Sequence, residues 1–267
     1  QTLVEKFVQQ QLVPLEQAYL AREISGEKPG LTNEESAIIN QKCKDLGLWG
    51  LDCPEQSGGA DLPAIAMVGV NEEIGRTVVP FHFPPDSPNL HMLLATANDY
   101  QTQRYVEPYA RGEAVSAIAI SEPGAGSDPA GMITKAVRDG DEWVLNGRKI
   151  WVSRVDEADF TILMAVTEPG KGNAGISAFI IEKDTPGFII SRHIPMIGGH
   201  TTFEITLDDC RLPATQLLGE LGKGFAPMQL RLVIRRLQMG AWCVGMARRA
   251  VDIICEYAKN RNTFGAS

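Results

Sequence analysis

The amino-acid sequence predicts an α+β fold, in which an N-terminal all-α domain is followed by a middle antiparallel β domain or barrel and by the start of a C-terminal helical bundle. Three observations predict it. From Leu3 onward, apolar residues recur three and four positions apart, which is the helical period. At Gly112 the period changes to two, and β-branched and aromatic residues become frequent. Helical spacing returns after Gly222. The predicted domains are residues 1–111, 112–221 and 222–267.

The last predicted domain is too short to cover its own apolar face. The sequence also begins with Gln1 rather than Met. We therefore expect the chain to be the ordered or cloned part of a longer parent protein.

Charge and composition exclude several classes of function. The 267 residues include 33 acidic and 25 basic side chains, a formal net charge of −8. Phosphate backbones and anionic lipids repel such a chain, so we expect no nucleic-acid ligand. Apolar runs are a few residues long, whereas a membrane span needs about 20, so no membrane span is expected. The five cysteines form no C-x-x-C pair and the four histidines lack metal-ligand spacing, so no metal site is predicted.

The first domain is predicted to contain several helices. Pro14 predicts a kink or a break in the first helix, because proline has no N–H to donate. Thr32 and Glu35 have the spacing of a capping box, which predicts the start of a helix that Gly47 ends. Further helices are predicted over residues 64–76, 90–97 and 99–111.

The middle domain is predicted to contain eight strands joined by short turns. Asn146-Gly147 predicts a type I′ hairpin between two of them, since both central residues of that turn have positive φ. Asp184 to Gly187 predicts a second turn. The strands are predicted at residues 114–120, 133–138, 142–145, 148–152, 160–167, 177–182, 188–193 and 202–207. After them, the apolar spacing from Phe225 to Ala258 predicts two helices.

The first candidate binding segment is the Gly-rich turn I-A-I-S-E-P-G-A-G-S-D, residues 118–128, directly after a predicted strand. Its glycines allow the backbone to approach a ligand, and Ser121 and Ser127 add hydroxyl donors. Pro129 stands where a dinucleotide fingerprint has its third glycine, which excludes that motif. Taken alone, the segment favours a plain tight turn.

Two further segments could contact a ligand. Trp151 and Ser153 share one face of a predicted strand, so an aromatic plane and a hydroxyl can meet the same planar molecule. Taken alone, such a pair more often consists of one core residue and one surface residue without a ligand. Arg261, in the segment R-N-T-F-G after the last helix, could bind a phosphate or could complement the helix dipole.

In combination these segments are far more specific. The chain resembles the acyl-CoA dehydrogenase family of flavoproteins in the order of four segments, S-E-P-G-A-G-S-D, G-D-E-W-V-L-N-G-R-K-I-W-V-S, D-D-C-R-L-P and R-x-x-F-G. The resemblance covers essentially the whole chain. It implies that FAD lies between the β domain and the C-terminal helices. It also implies that the Gly-rich segment runs along the flavin and the acyl-CoA.

The resemblance assigns roles within the Gly-rich segment. Ile120 and Ser121 match positions whose backbone and hydroxyl contact the pyrimidine edge of the flavin. Ser127 matches a position near the pyrophosphates of FAD and of CoA, so it is assigned to cofactor and substrate. Gly126 is assigned to the cofactor site with them.

The resemblance also assigns residues in the other segments. Trp151 matches the indole that packs on the isoalloxazine, and Ser153 matches the hydroxyl at flavin N5, a position that is often Thr. Arg261 and Phe264 match residues that reach the FAD of a neighbouring subunit, which implies a homotetramer, a dimer of dimers. Arg236 falls where the family places an arginine at the CoA moiety.

The implied activity is α,β-dehydrogenation of an acyl-CoA thioester to a trans-2-enoyl-CoA, with electrons passed to an electron-transferring flavoprotein. The family's usual catalytic Glu is expected beyond Ser267. Some members carry the base at the position of Arg235, and a guanidinium cannot accept the proton. The sequence therefore assigns no catalytic base.

Two alternatives remain open from the sequence. One is an acyl-CoA oxidase of the same fold, and the other is a base-less FAD-binding subunit of a heteromeric dehydrogenase. Bacterial cytoplasm and mitochondrial matrix both fit as the compartment. The length of the acyl chain cannot be inferred.

Overall fold

A computed structural model describes residues 2–27, 30–196 and 201–265 of the chain. The residues cluster into two compact units by their contacts. The helical unit comprises Gln1–Glu55, Gly59–Pro84 and Val233–Ser267, and the sheet unit comprises Gln56–Gly58 and Pro85–Leu232. The predicted α+β class, with helices before and after a β domain, is confirmed. The predicted domain boundaries stay a prediction.

The helical unit begins with a helical run that changes its winding around Pro14. Helix α1 (Thr2–Phe7) passes into a π-helical turn (Val8–Leu12) and a 3₁₀ turn (Val13–Leu15) before α2 (Glu16–Ser25). Proline cannot donate to the carbonyl four residues earlier and its ring crowds that carbonyl, so the turn widens there. The helical run continues past Pro14 with altered winding, so the predicted break is absent and the predicted kink stays a prediction.

Helices α3 (Asn33–Asp45) and α4 (Ala64–Ile74) complete the N-terminal part of this unit. The predicted capping box is confirmed, since the Thr32 hydroxyl accepts from the Glu35 N–H and the Glu35 carboxylate accepts from the Thr32 N–H. Apolar side chains of the helices of this unit and of the segments between them form one buried cluster. It contains Val4, Phe7, Val8, Leu12, Ile39, Cys43, Leu48, Leu51, Val70, Ile74 and Phe83.

The sheet unit begins with helices that pack beside its strands. These are α5 (Ser87–Leu94), α6 (Asp99–Gln101), a π-helical turn (Thr102–Val106) and α7 (Glu107–Arg111). Eight strands follow. They are β1 (Ser116–Ala119), β2 (Lys135–Asp139), β3 (Glu142–Ser153), β4 (Phe160–Val166), β5 (Ile176–Glu182), β6 (Phe188–Pro195), β7 (Thr201–Pro213) and β8 (Leu217–Leu218).

The strands form one mixed sheet in the order β6-β7-β3-β2-β4-β5-β8, with β1 beside β4. Most neighbours are antiparallel, whereas β1 and β2 each run parallel to β4. Trp143 and Phe179, whose ring centroids are 5.4 Å apart, belong to the buried cluster of this sheet. The predicted turn before β6 is confirmed, with Phe188 N donating to Thr185 O at 3.0 Å and Gly187 at φ +82°.

The predicted hairpin at Asn146-Gly147 is wrong. Strand β3 runs through both residues and pairs with β7, with a register shift between Leu145 and Gly147. The hairpin lies instead at Gly140, where Asp139 pairs with Glu142. A Cβ at Gly147, whose φ is +154°, would lie 2.4 Å from Thr134 Oγ1. Glycine is required there for close packing against Thr134 rather than for a turn.

The two helices predicted over residues 225–258 are one helix, α8 (Phe225–Asn260). Gly240 and Gly245 lie within this helix, and neither of them breaks it. Many of its apolar side chains are exposed, among them Val251, Ile253, Ile254 and Tyr257. Within the described residues, no helix has both the length and the apolar character needed to cross a membrane.

Candidate functional site

The Gly-rich segment forms a tight turn after β1. Glu122 and Ala125 exchange two backbone hydrogen bonds, of 2.9 Å and 3.1 Å. The Asp128 carboxylate then accepts from the Ala130 N–H at 3.1 Å and caps the short turn that follows. A Cβ at Gly124 or Gly126 would meet no atom within 4 Å, so neither glycine is required by packing within this chain. Their open side is where a ligand could approach the backbone.

A buried ion pair lies beneath this turn, and sequence reasoning missed it. Lys149 Nζ lies 2.8 Å from Glu122 Oε1, and the Lys149 side chain is 0% exposed. The ammonium also donates to Ile120 O at 3.0 Å and contacts Met132 Sδ at 3.8 Å. Each of its three N–H groups therefore has a partner. The available signal was a lysine at an alternating, inward position of the strand that carries Trp151.

The Glu122 carboxylate has further partners in the backbone. Its oxygens accept from Ile133 N at 2.7 Å and from Thr134 N at 3.0 Å. Burial by itself would raise the pKa of Glu122, but the charge of Lys149 and these donors hold that pKa below its usual value. Burial lowers the pKa of Lys149 to about 8, although Glu122 acts in the opposite direction.

The two predicted ligand segments are joined by a backbone hydrogen bond as well as by the contacts of Lys149. Ile150 N, on β3, donates to Ser121 O at 2.9 Å. On the other side of Ser121, the carbonyl of Ile120 points at buried Lys149. Since C=O and N–H point in opposite directions across a trans peptide, the Ser121 N–H points away from Lys149. Among the described residues, no hydrogen bond uses this N–H.

Trp151 lies at an irregularity of β3 that exposes its indole. The pairing with β7 shifts register between Lys149 and Val152, and Trp151 has φ +62°. A bulky residue in this left-handed region is strained, which is typical of functional positions. Trp151 is 54% exposed. Ser153 is also exposed and Val152 between them is buried, in agreement with the prediction that Trp151 and Ser153 share a face.

The remaining predicted residues of the sheet unit are accessible. Ile120 and Ser121 are half-buried, and Gly126 and Ser127 are exposed. The contacts therefore join the Ile120–Ser121 backbone to the strand of Trp151 and Ser153. A half-exposed indole, the unused Ser121 N–H and exposed hydroxyls suit a flat ligand with polar edges, such as a flavin.

The other predicted residues belong to the helical unit. Arg236 and Arg261 are exposed, and Phe264 is fully exposed with φ +54°. Arg261 N donates to Tyr257 O at 2.9 Å, which continues the end of α8. The guanidinium of Arg235 lies 5.7 Å from the centroid of the Trp242 ring, an ordinary cation–π contact.

Models of three domains of one protein family match the chain in order. The N-terminal domain of acyl-CoA dehydrogenase matches residues 1–113, the middle domain residues 117–210 and the C-terminal domain residues 222–267. The sequence-based assignment to this family is confirmed.

Individual relatives agree with the family models. The chain is 38% identical over 277 residues to (R)-benzylsuccinyl-CoA dehydrogenase of Thauera aromatica, covering 99% of this chain and 68% of that protein. It is 36% identical to human mitochondrial short-chain specific acyl-CoA dehydrogenase, covering 85% of this chain and 56% of that protein. The structure of butyryl-CoA dehydrogenase from Megasphaera elsdenii superposes with a TM-score of 0.82, at 28% identity, over 99% of this chain and 69% of that one. The chain thus spans between half and seven tenths of these relatives.

Proposed function

The chain belongs to the acyl-CoA dehydrogenase family of flavoprotein oxidoreductases, and we propose that it holds the FAD of an enzyme that dehydrogenates an acyl-CoA thioester to a trans-2-enoyl-CoA. One observation carries the proposal. The Ile150–Ser121 bond brings the two family segments together, with the strained, exposed Trp151 one residue away.

We assign the residues that would hold FAD as follows. Ser121 and the Ile120 backbone would contact the pyrimidine edge, and the Trp151 indole would pack on the isoalloxazine. Ser153 would donate to flavin N5, and Gly126 and Ser127 would lie along the pyrophosphate. The accessible hydroxyls and the outward Ser121 N–H support this assignment, because each offers a donor to an electron-rich edge.

The remaining roles are proposed from the family. Arg236 would contact the CoA moiety, and Ser127 would contact both CoA and FAD. Arg261 and Phe264 would reach the FAD of a neighbouring subunit in a homotetramer, and an electron-transferring flavoprotein would take the electrons. The compartment, bacterial cytoplasm or mitochondrial matrix, stays a prediction.

The chemistry of the bound group and that of the protein are separable. FAD, when bound, would supply the hydride acceptor for the β-carbon of the thioester. The protein must stabilise the flavin ring, exclude water and provide an acceptor for the α-proton, which is too weakly acidic for a carboxylate in water. Arg235 cannot be that acceptor. The Ser153 hydroxyl would favour the reduced flavin by donating where negative charge accumulates.

The test uses the full-length gene product and two tryptophan variants. The protein should purify with FAD, and its flavin absorbance should bleach anaerobically with an acyl-CoA. Trp151→Ala should weaken FAD binding by about tenfold, as expected for lost aromatic stacking, whereas Trp143→Phe, in the buried cluster, should leave it unchanged. A colourless protein that takes up no added FAD would overturn the proposal.

Electron acceptors separate this function from the oxidase alternative. An acyl-CoA oxidase would release peroxide in proportion to the substrate consumed in air. A dehydrogenase would consume substrate only with an added electron-transferring flavoprotein or an artificial acceptor.

A further inference from the structure

We propose that the buried Lys149–Glu122 ion pair is a positioning element of the flavin site, which fixes the Ile120–Ser121 peptide so that the Ser121 N–H is presented to the ligand. This inference rests on the proposed function. It concerns two residues that the assigned roles do not use.

The contacts of Lys149 surround Ser121. The ammonium donates to the carbonyl of Ile120 at 3.0 Å and to the carboxylate of Glu122 at 2.8 Å. These two residues come immediately before and after Ser121. The Ser121 carbonyl is held separately by Ile150 N at 2.9 Å. Both peptide units that flank Ser121 are thus fixed from the interior, and rotation of the Ile120–Ser121 peptide would break the Lys149 bond.

The carboxylate extends this arrangement to the start of β2. Glu122 accepts from the N–H groups of Ile133 and Thr134 at 2.7 Å and 3.0 Å. Thr134 is the residue against which Gly147 of β3 packs. The pair therefore ties the Gly-rich turn to both β2 and β3, and Lys149 lies two residues before Trp151 on the same strand.

Stability does not explain such a pair. The cost of removing two charges from water commonly equals or exceeds their attraction, so buried pairs add little net stability over apolar packing. What they add is geometric specificity, because each ammonium N–H and carboxylate oxygen demands a partner in a fixed direction. Here those directions converge on the backbone at Ser121. The lowered pKa of Lys149, about 8, agrees with a charge held at a cost.

The experiment compares three variants of the full-length protein. Lys149→Met leaves Glu122 charged and buried, so it should lower the melting temperature as well as FAD affinity. The double variant Lys149→Met/Glu122→Gln removes both charges and keeps an oxygen for one backbone N–H, so its melting temperature should recover. The control is Glu204→Gln. Glu204 is an equally buried carboxylate of the same sheet, paired with Arg148 and Arg192.

Two readouts separate positioning from folding. The double variant should bind FAD about tenfold more weakly than the unmodified protein, the upper size of one lost hydrogen bond. The reduction potential of its bound FAD should also fall, since the Ser121 N–H no longer favours the reduced, more negative flavin. The Glu204→Gln variant should lose melting temperature while its FAD affinity and potential stay unchanged.

Failure of this inference can be distinguished from failure of the proposed function. If the unmodified protein binds no FAD, the function fails. If it binds FAD and the folded double variant matches it within twofold in affinity, with the same potential, the positioning role is overturned. Should both Lys149 variants fail to fold, the single variant Glu122→Gln decides. It should weaken FAD binding by about threefold and lower the reduction potential of the bound FAD. Unchanged affinity and potential would overturn the inference.

Discussion

The residues proposed to contact FAD lie in two regions that the chain builds in different ways. In the sheet unit, Ser121 and Trp151 are fixed by a buried ion pair, a backbone bond between segments and a strand irregularity. In the helical unit, Arg261 and Phe264 follow the end of α8 and are exposed.

The anchoring of α8 ends before these residues. Arg249 bonds Glu16, Arg248 bonds Glu72, and Asp252 lies 2.9 Å from Arg76. From Val251 to Asn260 every side chain of the helix is exposed. The sheet region is thus held by buried contacts within its own chain, whereas the side chains at the end of α8 are exposed. The following predictions test this difference, from the largest expected effect to the smallest.

The largest effect is expected at Gly147. Gly147→Ala would place a Cβ 2.4 Å from Thr134 Oγ1 and 2.7 Å from Thr134 Cα, at a φ of +154°. Overpacking combined with backbone strain should cost about 3 kcal/mol in the free energy of unfolding, measured by urea titration. Gly124→Ala, which meets no atom within 4 Å, is the control and should change stability by less than about 0.5 kcal/mol. Equal effects would contradict a sheet region held by buried contacts.

An intermediate effect is expected at Glu16, which anchors α8. Its carboxylate accepts from Arg249, from the Thr77 hydroxyl at 2.7 Å and from Val78 N at 3.2 Å. Glu16→Gln should cost about 2 kcal/mol at pH 7, because charged hydrogen bonds are lost. The control Glu256→Gln disrupts only an exposed pair with Lys259 and should have little effect.

The ionisation of Glu16 should also make the stability of the fold depend on pH. Burial would raise the pKa of Glu16, but its bonds to Arg249, Thr77 and Val78 hold it below the usual value. A depressed folded-state pKa means that the carboxylate stabilises the fold above its unfolded pKa of about 4.3 and loses this as pH falls through the lower folded value. As the pH falls, the free energy of unfolding of the unmodified protein should therefore decrease more than that of the Glu16→Gln variant. Equal losses for the two proteins would refute this.

The smallest effect on stability is expected at Phe264, which is fully exposed. Phe264→Ala should change the free energy of unfolding by less than about 0.5 kcal/mol. Its effect should appear in FAD affinity, and only at protein concentrations where subunits assemble, as measured by size-exclusion chromatography. A loss of stability in the dissociated protein would show that the helix end is held by its own chain.

Local signals predicted much of this fold. The capping box at Thr32 and the turn at Gly187 each depend on bonds between residues near in sequence. Two local signals were misleading, since Asn146-Gly147 has the composition of a hairpin and residues 225–258 were predicted as two helices. The decisive contacts lay elsewhere, because Gly147 packs against Thr134 and β3 continues along β7.

The sequence by itself determined the order of helices and strands, the family and the segments proposed to contact FAD, because period and motif are written in consecutive residues. Only the tertiary structure decided how those segments are held. Glu122 and Lys149 are 27 positions apart, and neither their pairing nor the direction of a peptide can be inferred from spacing. Both depend on which strands become neighbours, since a charge loses its water only when the chain folds around it.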